Sequence, residues 1–165
     1  MPIRPTFTHP WEVSPADAVA IQRDLRQRVR VEPLGRQPEI VAGVDVSVKG
    51  GRACAAVVLL SYPALNPFQA ATAERPVSFP YVPGLLAFRE GPVVLAAVER
   101  LDRRPDVAMF DAQGLAHPRR MGWRPILASC LICPPSDAPS RAFAECTLSL
   151  ASGRAVGNRW LMATR

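Results

Sequence analysis

Apolar and polar residues alternate over residues 40–48, which gives the clearest pattern in the chain. Valines at alternate positions face one way and Asp45 faces the other, as expected of a strand with one buried face. Gly50 and Gly51 follow and predict a tight turn, and the continuous apolar run 53–60 predicts a second strand buried on both faces. A hairpin is therefore predicted, with a further, weaker strand over residues 69–73.

Apolar residues at helical spacing predict two helices. Ser14 is the expected N-cap of a helix over residues 15–29, whose Arg- and Gln-rich face we interpret as solvated rather than as a binding surface. Pro92 predicts the start of a second helix, over residues 93–101, and a short buried strand follows over residues 106–110. The order helix, hairpin, helix and strand predicts an α/β fold with a mixed sheet.

Composition and charge narrow the class of protein only a little. The chain has 165 residues and a net charge of +6, which suits a polyanionic partner without establishing one. No apolar run is long enough to span a membrane, and the first residues lack the apolar core of a signal peptide. We therefore expect a cytoplasmic monomer without membrane contact. Cys130 and Cys133 form a lone Cys-x-x-Cys pair, for which reduced thiols are favoured over a zinc site.

Three carboxylates stand where a charge needs a partner. Asp45 lies in a predicted strand, Glu90 lies just before the predicted second helix, and Asp111 follows the last strand. A carboxylate among apolar residues is costly unless it is paired or binds a metal. If the three converge they suit Mg²⁺, or Mn²⁺ as a substitute, because hard divalent cations take oxygen ligands and keep several waters. Each also has a structural explanation, namely a backbone hydrogen bond for Asp45, a surface position for Glu90 and a turn for Asp111.

Three sequence blocks around these carboxylates resemble the endonuclease V family in their order and spacing. They read Ala-Gly-Val-Asp-Val-Ser, Phe-Pro-Tyr-Val-Pro-Gly-Leu-Leu-Ala-Phe-Arg-Glu-Gly and Asp-Ala-Gln-Gly-Leu-Ala-His-Pro-Arg-Arg-Met-Gly. The likeness covers roughly residues 15–122. It implies a ribonuclease-H-like mixed sheet flanked by helices, and a Mg²⁺-dependent endonuclease of DNA repair. It further implies cleavage of the second phosphodiester bond 3′ to a deoxyinosine, so that the expected partner is DNA containing deaminated adenine.

The resemblance also implies roles for single residues. Asp45, Asp111 and Glu90 match the metal-binding acids of the family, and His117 matches a histidine near the scissile phosphate. The loop around Tyr81 matches a wedge that enters the duplex where a base is extruded. The structural alternatives are a hydrogen-bonded histidine and a packed tyrosine. Residues 78–84 form a turn-rich loop, and we expect its two large side chains, Phe79 and Tyr81, to be exposed. The residues expected to contact DNA are Tyr81, Pro83, Gly84, Gly114 and Arg119.

The resemblance stops after Gly122. The family continues with a segment like Leu-Ala-Ser-His-Leu-Gly and later a lysine, whereas this chain has no lysine after Lys49. Gly-Trp-Arg-Pro-Ile-Leu can be encoded by the codons GGC TGG CGT CCC ATC TTG, and reading these codons from the third base gives Leu-Ala-Ser-His-Leu. Our hypothesis is a one-base deletion, which makes 1–122 an incomplete family domain and 123–165 an out-of-frame tail, with the C-terminal strand and helices missing. The alternative is a true but divergent C-terminus.

Two other functions stay open at this point. One is a non-catalytic, nucleic-acid-binding remnant of the enzyme, and the other is a ribonuclease that acts on inosine-containing RNA. Contacts to 2′-hydroxyl groups cannot be read from a sequence, so DNA and RNA are not distinguished. Metal-dependent nicking of an inosine-containing duplex separates the enzyme from the remnant.

Overall fold

The chain folds around a five-stranded mixed sheet in the order β4-β3-β2-β5-β7, with a separate parallel pair formed by β1 and β6. The strands are β1 (Val29–Val31), β2 (Ile40–Lys49), β3 (Arg52–Ser61), β4 (Pro67–Pro76), β5 (Val107–Phe110), β6 (Phe143–Glu145) and β7 (Leu161–Ala163), and the helices are α1 (Pro15–Arg26) and α2 (Leu86–Val98). The computed structural model describes residues 9–27, 29–31, 37–111, 117–119, 122, 143–145 and 161–163. The predicted α/β class with a mixed sheet is confirmed, because β2 and β5 are parallel while β3 and β4 are antiparallel to their neighbours.

The hairpin of β2 and β3 forms as predicted. Its turn needs two residues with positive φ, and Gly50 and Gly51 supply φ values of +56° and +75°. The turn fixes the register, so that Lys49 lies opposite Arg52 and Asp45 lies opposite Ala56. The weak strand predicted over 69–73 is also present and is longer, as β4.

The prediction that β3 is buried on both faces is wrong. Its residues alternate between buried and more exposed positions, and Cys54 is fully on the exposed side. The reason is that α2 packs against one face of β2, β3 and β4. A continuous apolar run predicted two covered faces, but Ala56 and Val58 on the second face line a cleft instead.

The first helix begins as predicted and ends earlier. The Ser14 hydroxyl accepts a hydrogen bond from the Asp17 backbone N–H at 3.2 Å, and the helix ends at Arg26 rather than at residue 29. The side chains buried along α1 are Ala18, Gln22 and Leu25, at the i, i+4 and i+7 positions of one face. The prediction that the Arg- and Gln-rich face is solvated is therefore wrong for Gln22, which faces the core.

The second helix begins earlier than predicted. It starts at Leu86, and Pro92 lies inside it rather than at its first residue. An internal proline removes one helical hydrogen bond and costs about 3 kcal/mol. Burial on both sides of Pro92, including that of Phe88 and Val94, offsets this cost. The consequence for function is that Glu90 lies within the helix and not in the loop before it.

The tail contributes one strand to the main sheet. We expected the C-terminal strand of the family to be missing, whereas the three residues of β7 pair antiparallel with β5. Most of segment 123–165, including Cys130 and Cys133, lies outside the described residues. Neither described helix has the length and apolar content needed to cross a bilayer.

Candidate metal and nucleic-acid site

Asp45 and Asp111 are brought together by the parallel pairing of β2 and β5. Val44 pairs with Phe110 in the last step of this ladder, and an aspartate follows each of them. Neighbouring strands lie about 4.8 Å apart, so the register places the two carboxylates side by side. Both side chains are exposed. The sheet itself thus determines the spacing of the pair.

A third aspartate fixes this register at the other end of the strands. The Asp106 carboxylate accepts hydrogen bonds from the backbone N–H groups of Glu39 at 2.9 Å and Ile40 at 3.0 Å. The Asp106 backbone N–H in turn donates to the Ile40 carbonyl at 2.9 Å. Because these bonds tie the start of β5 to the start of β2, a slip that would separate Asp45 from Asp111 is opposed.

The two aspartates line a cleft of about 360 Å³ on the sheet face opposite α2. The Asp45 Oδ1 atom accepts a hydrogen bond from the Val46 backbone N–H at 2.9 Å, which leaves its second oxygen available to the cleft. The backbone hydrogen bond expected as the structural explanation for Asp45 is therefore present, but it uses only part of the carboxylate. The lining residues are Gly43, Val44, Asp45, Ala56, Val58, Met109, Phe110 and Asp111.

Glu90 lies half-buried in the second turn of α2 and interacts electrostatically with this site. Burial raises the pKa of Glu90 to about 7, the neighbouring Arg89 charge opposes the rise, and the Asp45 charge adds to it. The carboxyl therefore titrates near neutral pH, and Asp45 is near enough for its charge to add to the rise. A cation bound near Glu90 would favour the ionised form of Glu90.

The donor set fits a hard divalent cation, although the site is not a closed cage. Within the part of the chain that the structure describes, no three His, Cys, Asp or Glu side chains converge closely enough to enclose a metal ion. Mg²⁺ commonly takes one or two carboxylates and completes its shell with water and substrate oxygens. Asp45 and Asp111 satisfy that requirement, and Glu90 stands nearby.

The loop before α2 is anchored at its first end by a buried aromatic. Phe79 is buried against Phe88, with ring centroids 5.7 Å apart, and its carbonyl accepts a hydrogen bond from Arg89 Nη1 at 3.1 Å. We expected both large side chains of this loop to be exposed, and for Phe79 that expectation is wrong. Tyr81 is 71% exposed, so the packed-tyrosine alternative does not hold. Pro83 is exposed as well.

The other end of the loop is held at Gly84 by two side chains. The Gly84 carbonyl accepts from Gln22 Nε2 at 2.8 Å and from Arg119 Nη2 at 2.9 Å. Arg119 Nε also donates to Gln22 Oε1 at 2.6 Å. Gly84 has a φ of +80°, and a Cβ added there would lie 2.6 Å from Arg119 Nη2. Two of the five N–H groups of Arg119 are therefore engaged within the protein, and the others remain for the expected phosphate contact.

His117 is buried beside this loop. Its Nδ1 accepts a hydrogen bond from the Arg119 backbone N–H at 3.2 Å, which places the proton of the neutral ring on Nε2. Burial and then the Arg119 charge lower the pKa of His117, while the nearby Gly84 carbonyl opposes them only in part. The ring is thus neutral at pH 7. Nε2 is buried without a hydrogen-bond partner of suitable geometry among the described residues, and it lies next to Gly84.

The structure places the predicted residues in two groups. Asp45 and Asp111 lie together in the cleft, and we call this pair the cleft floor; Glu90 lies on α2, outside the residues that line the cleft, and is linked to the pair through the charge of Asp45. Gly84, His117 and Arg119 are held together with Gln22, which the sequence analysis missed; we call these four residues the loop network. Gly114 lies outside the described residues. The assigned roles in binding and catalysis remain predictions.

A second missed contact lies beside Glu90. The Trp11 ring packs directly on the α2 backbone at Gly91, where an added Cβ would lie 2.3 Å from the indole. The glycine that follows Glu90 therefore serves packing.

A signal in the sequence could have identified Gln22 as a buried residue. Gln22 lies four residues from Ala18 and three from Leu25, and this spacing puts it on the apolar stripe of α1.

Comparisons with known proteins agree with this arrangement. The sequence model of the endonuclease V family matches residues 23–134. The endonuclease V of Methanothrix thermoacetophila is 50% identical over 122 residues, which cover 74% of this chain and 54% of that protein. The endonuclease V of Roseiflexus castenholzii is 42% identical over 146 residues, covering 88% of this chain and 64% of the relative. The chain thus spans little more than half the length of most of the curated relatives it matches.

Solved structures show the same fold. The crystal structure of endonuclease V from Streptomyces avermitilis superposes with a TM-score of 0.69 at 36% identity, covering 88% of this chain and 61% of that one. A Ciona intestinalis endonuclease V, crystallised with a 24mer DNA containing an inosine followed by a ribo-adenosine, superposes with a TM-score of 0.59 at 25% identity, covering 79% and 55% of the two chains.

Proposed function

This chain belongs to the endonuclease V family, and we propose that it is a metal-dependent endonuclease of DNA repair that cleaves DNA containing deaminated adenine. The observation that carries the proposal is the pair of exposed carboxylates, Asp45 and Asp111, which follow the last paired residues of the parallel β2–β5 ladder and line an open cleft. The inosine-containing DNA bound by the Ciona relative supports the choice of substrate. Cleavage of the second phosphodiester bond 3′ to the deoxyinosine is the specific reaction we propose.

In this proposal Asp45 and Asp111 hold Mg²⁺, for which Mn²⁺ can substitute, and Glu90 completes the acidic site. When bound, the cation supplies positive charge that stabilises the charge developing on the reacting phosphate. Asp45 and Asp111 would hold it in the cleft beside β2 and β5. Without a cation, the raised pKa of Glu90 keeps part of that carboxyl protonated at neutral pH, which limits the repulsion with Asp45.

The loop of Tyr81 recognises the lesion in this proposal. An exposed aromatic held between two anchored ends can enter the base stack at a poorly paired base with little loss of conformational freedom. Gly84 and Gly114 would let main-chain groups approach the extruded base. His117, being neutral, would act as a hydrogen-bonding group near the phosphate rather than as a fixed positive charge.

The test is Mg²⁺-dependent nicking of a duplex that carries one deoxyinosine. We expect Asp45→Asn and Asp111→Asn each to lower the nicking rate by about 10²–10³-fold, the loss that follows removal of one group stabilising transition-state charge. Glu74→Gln, which removes an exposed carboxylate from the edge strand β4, is the charge-matched control and should nick at the parental rate. Parental rates in either aspartate variant would refute the metal site.

We also propose that residues 123–165 are read out of frame after Gly122. The support is the absence of lysine after Lys49, together with the family-like segment that one possible set of codons for residues 122–127 gives in the shifted frame. Sequencing the gene across codon 122 tests this directly, and one additional base there is the expected result. The restored protein should then show a sharper unfolding transition and faster nicking than the 165-residue chain. An unchanged gene sequence would instead establish a divergent C-terminus.

A second candidate, the non-catalytic nucleic-acid-binding remnant, is favoured by the same missing lysine. It predicts that the 165-residue chain binds an inosine-containing duplex in preference to a plain one but does not nick it with Mg²⁺ or Mn²⁺. Nicking by the 165-residue chain that is lost in Asp45→Asn would eliminate this candidate.

A further inference from the structure

Gln22 is a buried polar side chain that joins three distant segments of the chain. Its amide is 1% exposed, and burial of an amide costs free energy unless its hydrogen bonds are made. Nε2 donates to the Gly84 carbonyl and Oε1 accepts from Arg119 Nε, so both ends of the amide are used. The partners lie 62 and 97 residues away in sequence. A purely apolar residue at this position would fill the same space without making either bond.

The bonds of Gln22 fall at the end of the exposed loop. Phe79 anchors the first end through its buried ring and the hydrogen bond from Arg89, and Gly84 anchors the second. Tyr81 stands between the two anchors. Gln22 therefore holds the second anchor to α1, a helix that itself contributes Leu25 to the core.

The surroundings of Gly84 make this anchor sensitive to small displacements. An added Cβ at Gly84 would lie 2.6 Å from Arg119 Nη2 and 2.8 Å from His117 Nε2, so the loop backbone is already in close contact with both side chains. The Gly84 carbonyl is shared by two donors, Gln22 and Arg119. Without the Gln22 amide, Arg119 is the remaining one of these two donors to the Gly84 carbonyl, and Arg119 itself loses its acceptor, Gln22 Oε1. The loop and the 117–119 segment would then shift together.

We propose that Gln22 is a positioning residue for lesion recognition, one that fixes the Tyr81 loop against Arg119 and His117. The inference rests on the proposed function, because recognition of inosine is the activity that the loop would serve. Gln22 itself is buried and touches no DNA in this account. Its effect is on the choice between damaged and undamaged duplex rather than on general affinity for the phosphate backbone.

The first test compares DNA binding by the 165-residue chain and by Gln22→Met, which keeps an unbranched side chain of similar length but removes both hydrogen bonds. The probes are a duplex with one deoxyinosine and the same duplex with deoxyadenosine, without divalent metal. We expect the affinity ratio between the two duplexes to fall about tenfold, with affinity for the plain duplex unchanged within about twofold. Leu25→Ala, on the same helix and equally buried, is the control and should keep the parental ratio despite its lower stability.

The second test needs no DNA. Hydrogen exchange of the backbone amides over residues 79–85 should be about tenfold faster in Gln22→Met than in the parent, and not selectively faster in Leu25→Ala. If Gln22→Met does not fold, Gln22→Glu takes its place, because a carboxylate accepts from Arg119 but cannot donate to Gly84.

The two tests separate the inference from the proposed function. A parent that shows no preference for the inosine duplex removes the proposed substrate, while faster loop exchange in Gln22→Met would still support the anchoring role. Loop exchange equal to that of the parent overturns the inference. So does a parental affinity ratio in Gln22→Met when the parent itself discriminates.

Discussion

The cleft floor and the loop network position their functional groups in opposite ways. On the floor, Asp45 and Asp111 are placed by the β2–β5 ladder, and their carboxylates are exposed. In the network, Gln22, Arg119 and Gly84 are held by hydrogen bonds between side chains and one carbonyl, in largely buried surroundings. The floor groups can therefore be replaced without loss of structure, whereas the network groups hold one another in place.

This difference has an energetic reason. An exposed carboxylate remains hydrated, so its removal costs the fold little, and removal of a like charge near Glu90 even favours it. A buried hydrogen-bonded group cannot be removed without leaving its partner unsatisfied, which costs about 1–3 kcal/mol. Floor substitutions should therefore separate function from stability, whereas network substitutions should affect both.

The largest expected effect on stability is at Gly84. Gly84→Ala combines the strain of an L-residue at φ +80° with contacts of 2.6 Å and 2.8 Å to Arg119 and His117. Gly51→Ala, at φ +75° with no atom within 4 Å, carries the strain alone, about 1–2 kcal/mol. Urea unfolding should show Gly84→Ala less stable than Gly51→Ala by a further 1–3 kcal/mol or so. Equal losses of stability in the two variants would mean that Arg119 and His117 move aside at no cost in free energy.

A smaller effect is expected from the pH dependence at Glu90. Its folded-state pKa of about 7 lies above the ordinary value of 4.5, so its contribution to stability is full at low pH and is lost as pH rises through that interval. Between pH 4.5 and 7.5 the parent should lose stability relative to Glu90→Gln, by on the order of 1 kcal/mol because the carboxyl is half-exposed. Urea unfolding of both proteins across this range is the measurement. A difference that does not vary with pH would contradict the raised pKa.

Asp45→Asn and Asp111→Asn should change the free energy of unfolding by less than about 0.5 kcal/mol each, because both side chains are exposed. Asp45→Asn should also lower the pKa of Glu90 by removing its neighbouring charge. Thermal melts and a repeat of the Glu90 pH series in the Asp45→Asn background check both statements. Destabilisation above about 2 kcal/mol would show that the aspartates serve the fold, against the comparison drawn above.

The smallest effect is expected at Gly43, a residue of β2 that lines the cleft beside Asp45. A Cβ added there has no atom within 4 Å, so Gly43→Ala should fold with stability within about 0.5 kcal/mol of the parent. A loss as large as that of Gly84→Ala would show that the cleft is packed as tightly as the network.

The cleft floor was largely predictable from the sequence, whereas the loop network was not. Asp45 was identified by alternation within a strand and Asp111 by its position after one, and both signals are local. Glu90 was found, but its place in α2 was not, because Pro92 was taken as the start of a helix that continues through it. Burial of the residues on both sides of Pro92 stabilises the helix more than the proline destabilises it.

The network depends on contacts that no local pattern contains. Gln22 was counted as polar and assigned to solvent, although its spacing from Ala18 and Leu25 puts it on the buried face. Phe79 was expected to be exposed because it lies in a turn-rich loop, yet it packs on Phe88. Both residues are fixed by partners that are distant in sequence or become neighbours only when α2 forms, so tertiary packing decided their environment.

The most direct test is to titrate the 165-residue chain with Mn²⁺ and to monitor binding through the electron paramagnetic resonance signal of the free ion. The account predicts saturable binding that weakens at least about tenfold in Asp45→Asn and in Asp111→Asn and is unchanged in Glu74→Gln, with all four proteins folded to the same extent. Equal Mn²⁺ affinity in the parent and in both aspartate variants would contradict the claim that Asp45 and Asp111, at the end of the β2–β5 ladder, form the metal site.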